Sequence, residues 1–138
     1  MLKTELAMTY NKIRISTLVF ADIDKVWEYY TSSAHIINWN FATDTWHCPT
    51  ASNELRVGGR YKARMEAKDG RFGFDFEAVY NEISKNRKLD FTLTDGRRVI
   101  VDFVPDDTKT EVTITFDAEK ENPEELQRSG WQAILNNF

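Results

Sequence analysis

Residues 60–80 read Arg60-Tyr61-Lys62-Ala63-Arg64-Met65-Glu66-Ala67-Lys68-Asp69-Gly70-Arg71-Phe72-Gly73-Phe74-Asp75-Phe76-Glu77-Ala78-Val79-Tyr80. Two alternating runs flank one Asp-Gly pair. In the first, Tyr61, Ala63 and Met65 oppose Arg60, Lys62 and Arg64. In the second, Phe72, Phe74, Phe76, Ala78 and Tyr80 oppose Gly73, Asp75, Glu77 and Val79. A period of two marks a strand with one buried face. Asp69-Gly70 predicts a two-residue hairpin, because both central positions of a type I′ turn need positive φ. The stretch therefore predicts an antiparallel pair with one aromatic face and one charged face.

The pattern continues downstream. Strands are expected at about Lys88–Thr94, Arg97–Val104 and Thr110–Ala118, with Leu89, Phe91, Leu93, Val99, Val101, Phe103, Val112, Ile114 and Phe116 on the apolar side. Asp95-Gly96 makes a second tight hairpin and Pro105-Asp106-Asp107 a third turn, so the strands form an antiparallel meander. Upstream, Gly58-Gly59 permits a bulge or bend before the strand that runs through Lys68; the next strand is read as Arg71–Ile83.

Helices flank the meander. Near the N-terminus a strand is expected over Lys12–Phe20, followed by Asp22 as the N-cap of a helix whose Ile23, Val26, Trp27 and Tyr30 recur at helical spacing. A short helix follows over Ser33–Asn38. Trp39–Asn53 carries Pro49 and no period, and reads as a loop. At the other end Asn122 suits an N-cap, Pro123 the first helical position, and Trp131, Ile134, Leu135 and Phe138 form the apolar stripe. The order β-α-α-β-β-β-β-β-α, with helices segregated to one face, is an α+β fold.

The chain has 138 residues, 18 Lys+Arg against 22 Asp+Glu, and a formal net charge of -4. That length suits one domain, 1–138, large enough to bury a core without disulfides. One cysteine cannot form an internal bridge and fits a reducing compartment. The mild acidity gives no basic footprint for nucleic acid, and no apolar run approaches the roughly 20 residues of a spanning helix. The segment Met1–Leu6 has no apolar core of a secretion signal, so a cytoplasmic location is expected.

A curved sheet lined with Phe and Tyr and closed by one amphipathic helix leaves room for a cavity. The expected lining is Trp39, Trp46, Tyr61, Met65, Phe74, Phe76, Phe91, Val101, Phe103, Trp131 and Leu135. The central inner face carries tyrosine hydroxyls but no carboxylate, His or Lys. Acid–base groups would therefore come from a rim, where Asp95 and Arg97 have inward parity, or from the segment holding Asp44, His47 and Cys48. His47-Cys48 lacks the paired spacing of a zinc site, and no phosphate loop or nucleophile elbow is present. No metal and no cofactor is expected, and no catalytic set is assigned. Glu119, Lys120, Glu121, Glu124 and Glu125 read as a solvated entrance to the last helix.

Val26-Trp27, Trp39, Glu54-Leu55-Arg56-Val57-Gly58-Gly59-Arg60-Tyr61, Asp69-Gly70 and the ending Gln127-Arg128-Ser129-Gly130-Trp131-Gln132-Ala133-Ile134-Leu135-Asn136-Asn137-Phe138 resemble the family named for the activator of Hsp90 ATPase (AHSA1-like). The likeness is to its bacterial single-domain members, within the START/Bet v 1-like SRPBCC superfamily. It begins at about Lys12 and leaves residues 1–11 outside.

The resemblance implies a helix-grip fold, a curved antiparallel sheet wrapped around the C-terminal helix with a cavity between them. It implies structural roles for the matched residues: Gly58-Gly59 bend a strand, Trp131 and Leu135 plug the sheet, and Gly130 permits close helix–sheet approach. It also implies that a helix ending at Phe138 leaves one cavity end less covered, or covered by a partner subunit. Three readings stand together at this point. One is a non-catalytic binder of a small apolar or aromatic molecule. Another is a cyclase-, dehydratase- or hydrolase-like enzyme acting on a ring-bearing substrate. The third is a co-chaperone-like module that binds a protein. A homodimer is compatible with each.

Overall fold

The computed structural model describes residues 10–138. Seven strands form one antiparallel sheet: β1 (Lys12–Val19), β2 (Trp46–Asn53), β3 (Arg60–Ala67), β4 (Gly73–Ser84), β5 (Lys88–Leu93), β6 (Arg98–Asp106) and β7 (Lys109–Asp117). Their spatial order is β1-β7-β6-β5-β4-β3-β2. Helices α1 (Ile23–Thr31) and α2 (Ser33–Ile36) separate β1 from β2, and α3 (Glu124–Asn137) closes the chain. The expected meander is present from β3 to β7, with β1 brought back beside β7 in the register Ile13↔Phe116 and Ile15↔Ile114.

The segment expected as a loop contains β2. Its alternation is hidden because the pairing with β3 shifts between His47 and Thr50, so Cys48 and Pro49 interrupt the period. Pro49 is tolerated there because β2 is an edge strand, where a missing N–H costs no ladder bond.

The tight turns also differ from expectation. Gly70 (φ 78°) and Gly96 (φ 92°) have positive φ while Asp69 and Asp95 do not, which excludes a type I′ turn at either site. Leu93 and Arg97 instead bracket a three-residue loop in which Gly96 N–H donates to the Leu93 carbonyl at 2.9 Å.

The apolar stripe of α1 places Val26 and Trp27 in the core, and Asp22 caps the helix by accepting from Lys25 N–H at 3.0 Å. The N-cap of α3 is Pro123 rather than Asn122, and its side chain makes no capping bond. Gln127 ties down this end instead. Its amide oxygen accepts from Glu119 N–H at 2.8 Å, and its amide nitrogen donates to the carbonyls of Glu119 and Asn122 at 3.0 and 2.9 Å. These bonds fold the segment before the helix back onto its first turn, without capping the helix N–H groups themselves.

Both helices share the apolar face of the sheet. Trp27 meets Phe103 edge-on at 5.2 Å, while Trp131 on α3 stacks on Phe116 at 4.0 Å. The main core joins Ile13, Ile15, Val26, Trp27, Val99, Val101, Phe103, Val112, Ile114 and Phe116. Because α3 packs along β1, the β3–β5 side of the sheet is left with space above it. No helix among the described residues is long and apolar enough to cross a membrane.

Candidate functional site

That space is a cavity of about 400 Å³. Tyr61 and Met65 of β3, Phe74, Phe76 and Tyr80 of β4, and Leu89 and Phe91 of β5 form its floor. Trp131, Ile134 and Leu135 of α3 form its roof. The aromatic rings interlock: Tyr61 stacks on Phe91 at 6.3 Å, Tyr80 meets Phe91 edge-on at 5.8 Å, and Phe76 meets Trp131 edge-on at 6.2 Å. Phe74 (50% exposed) and Leu126 (61% exposed) mark the rim where the cavity meets solvent.

Eight of the residues expected on the wall are on it: Trp39, Tyr61, Met65, Phe74, Phe76, Phe91, Trp131 and Leu135. Three are elsewhere. Val101 and Phe103 have the correct parity, but α1 covers that part of the sheet, so they are sealed core, with Phe103 wedged between Trp27 and Tyr30. Trp46, on the edge strand β2, packs behind the wall with its ring 6.1 Å from Phe74.

Trp39 belongs to a seal. Its ring stacks on Tyr30 at 4.9 Å, and Phe138 meets both rings edge-on at 5.1 and 5.3 Å. Asn137 Nδ2 donates to the Trp39 carbonyl at 2.9 Å, and Trp39 Nε1 donates to the Tyr29 carbonyl at 3.0 Å. The Phe138 ring at the end of α3 thus packs against Tyr30 and Trp39 of the same chain.

The inner end of the cavity is polar but uncharged. Tyr80, 3% exposed, donates to Asn53 Oδ1 at 2.7 Å, and Asn40 Nδ2 points at the Tyr61 hydroxyl at 3.5 Å. Burial pushes the Tyr80 phenol up to about 12, with the Asn53 hydrogen bond opposing it. Burial likewise raises the phenols of Tyr30 and Tyr61, with repulsion from ionised Tyr80 adding to the shift of Tyr30, and from Tyr30, Tyr80 and Cys48 to that of Tyr61.

The rim carries the charge. Arg97 lines it, donating from Nε to Asp95 Oδ2 at 2.7 Å and from Nη1 to the Asp117 carbonyl at 3.5 Å. Glu119, expected to be solvated, also lines the rim, where its carboxylate accepts from Asn122 N–H at 2.7 Å. Its position follows from the Gln127 bonds, which no helical or strand period reveals. Tyr30 and Asn40 were not among the expected lining either. Tyr30 was legible as a member of the α1 stripe, whereas Asn40 sits in a segment without period.

His47 is on the charged face, its Nε2 3.8 Å from Glu66 Oε1. Cys48 is buried in a small cluster with Ala63 and Met65, and its thiol donates to the Thr50 carbonyl at 3.4 Å. Burial raises its pKa while a hydrogen bond from Asn40 pulls the other way, so it remains a thiol at neutral pH rather than a thiolate nucleophile. His35 stacks on Tyr29 at 3.9 Å, on the outside of the helical layer.

A curled antiparallel sheet gripping a C-terminal helix, with an aromatic-walled cavity between the two, defines the helix-grip class of proteins. The sequence profile of the activator of Hsp90 ATPase homolog 1-like protein family matches residues 21–138, and the chain belongs to that family. The match begins one element later than the Lys12 expected from the motifs.

Among solved structures, the AHSA1-like protein from Aeromonas hydrophila is 38% identical, with a TM-score of 0.87 over 92% of this chain and 88% of that one. Protein Chr148 from Cytophaga hutchinsonii is 45% identical, with a TM-score of 0.81 over 91% and 87% of the two chains. Protein CV1439 from Chromobacterium violaceum shares the fold at 20% identity and a TM-score of 0.82, over 92% and 94%. No curated protein matches the chain.

Proposed function

We propose that this protein binds a small apolar or ring-bearing molecule, without turning it over, in the cavity between the sheet and α3. The observation that carries the reading is the cavity itself: about 400 Å³, walled by aromatic rings and open at a rim of half-wet Phe74 and Leu126. Ligand sites typically have volumes of about 300–1,000 Å³, apolar walls and a few placed polar groups. Aromatic side chains that only filled a core would pack at close to crystalline density and leave no such space.

Proton transfer finds little support at the inner wall. Its phenols are held protonated by burial, and the histidine and carboxylate candidates lie on the outer face or in rim hydrogen bonds.

Native mass spectrometry of the protein purified from its own host tests the reading and reports subunit stoichiometry in the same spectrum. The expected result is a retained small molecule that is lost from Phe74→Lys and Met65→Trp variants with unchanged circular dichroism. A molecule retained equally by Met65→Trp, which fills the cavity, would place it elsewhere and overturn the proposal.

A further inference from the structure

At the inner end of the cavity, two phenol protons, those of Tyr30 and Tyr61, have no acceptor among the described residues. Tyr80 spends its proton on Asn53 Oδ1 at 2.7 Å; Asn53 Nδ2 donates to the Thr31 carbonyl at 2.7 Å, and Thr31 Oγ1 donates to the Trp27 carbonyl at 2.7 Å. That chain ends in the backbone of α1 and is complete. Tyr61 differs. Its oxygen receives the Asn40 amide, and its own proton has no acceptor among the described residues.

Asn40 presents its amide nitrogen to the Tyr61 hydroxyl at 3.5 Å, and the nearby Cys48 thiol donates to the Thr50 carbonyl at 3.4 Å. Tyr30 has no hydrogen-bond partner among the described residues, yet its hydroxyl is not sealed. Among the described residues, the one buried polar side-chain atom without a partner is Asn86 Oδ1, on another part of the molecule. Tyr30 is among the residues that line the cavity.

Charge is absent from this end. Among the described residues, the single cationic side chain on the lining is Arg97, at the rim and engaged by Asp95 and the Asp117 carbonyl. A carboxylate or phosphate pushed against the phenols would lose its water and gain no counter-charge. A neutral carbonyl oxygen would accept both free protons at a much smaller desolvation cost.

Resting on the binding reading above, we propose that the cavity selects a neutral ring-bearing molecule with a carbonyl-type acceptor, held at the inner end by the hydroxyls of Tyr30 and Tyr61. The upward pKa shifts of these phenols agree with this, since the surroundings that oppose a tyrosinate oppose any anion there.

Three probes of one shape test the proposal by isothermal titration calorimetry at neutral pH: 2-acetylnaphthalene, 2-ethylnaphthalene and 2-naphthoate. The acetyl probe is expected to bind about tenfold more tightly than the ethyl probe, as one or two net hydrogen bonds would give. The naphthoate is expected to be the weakest. In a Tyr30→Phe/Tyr61→Phe double variant with unchanged circular dichroism, the ratio of acetyl to ethyl affinity falls to within about twofold. Equal affinities in the wild type, a preference for naphthoate, or an acetyl preference that survives in the double variant would each overturn the proposal. Binding of none of the three would overturn the parent reading, and this one with it.

Discussion

A methyl group added at Gly59 would sit 2.1 Å from the Glu54 carbonyl oxygen and 2.9 Å from that of Arg56. Both obstacles are backbone and cannot rotate away. The adjacent Gly58, at φ 81°, donates its N–H to the Tyr80 carbonyl at 2.8 Å, and Tyr80 N–H donates to the Gly59 carbonyl at 3.1 Å. The pair therefore clamps the turn before β3 onto a residue of the cavity floor. Gly130 is the opposite case. The family resemblance assigned it a close helix–sheet approach, but a Cβ there meets nothing within 4 Å. Gly59→Ala is expected to lose roughly 2–4 kcal/mol through steric strain, and Gly130→Ala to gain about 0.5–1 kcal/mol of helix propensity. Urea denaturation midpoints check both, and a Gly130→Ala variant less stable than wild type would refute the account of that residue. The sequence marks both glycines alike, because a motif records that a residue recurs and not what its missing side chain avoids.

Among the secondary-structure elements, β5 keeps its alternation in sequence but not in burial. Asp90 has the outward parity that predicts a wet carboxylate, yet it is 1% exposed. Arg98 forks onto it from β6, and Asn81 Nδ2 donates to it at 3.1 Å from the shifted register of β4. Burial works to raise its pKa, but the hydrogen bonds and charge of Arg98, with Asn81 and Lys88, outweigh that and hold the carboxyl below its usual value. A depressed folded-state pKa contributes stability that is complete above the unfolded value, about 3.9, and disappears as pH falls through the folded one. Asp90→Asn should therefore cost roughly 1–3 kcal/mol at neutral pH, moderated by the half-exposed Arg98, and the gap to wild type should close below about pH 4. Thermal melts across that range measure it; a gap that widens on acidification would reverse the sign. The irregular pairing that buries Asp90 also limits what periodicity can show. The strands β3 to β7 were legible because each keeps a run of period two. β2 was not, since its register shift falls in the middle of an eight-residue strand. The helix stripes were legible, but which part of the sheet each helix covers was not, and this is why Val101 and Phe103 were expected on the wall.

For the molecule as a whole, the buried phenols tie alkaline stability to the cavity. Three of its five tyrosines, Tyr30, Tyr61 and Tyr80, have raised folded-state pKa values, with burial the leading cause. Unfolded tyrosine ionises near pH 10, so above that the unfolded chain binds fewer protons than the native one and stability falls as pH rises. Ionisation of these three phenols should accordingly coincide with loss of circular dichroism. Tyr30→Phe/Tyr61→Phe should weaken the coincident rise in tyrosinate absorbance, and a rise that is complete while circular dichroism is unchanged would contradict the burial assigned to the three. The positions that carry folding and the positions that meet solvent at the rim are also largely separate sets. Val101, Phe103 and Phe116 anchor one half of the sheet under α1 and α3, whereas Phe74, Asn122 and Leu126 border the opening over the other. Exchanges at half-wet positions typically shift stability by no more than about 0.5 kcal/mol. If the cavity binds as proposed, descendants of this chain can alter which molecules pass the rim while their folding is left intact, so recognition and foldability are free to evolve at different rates.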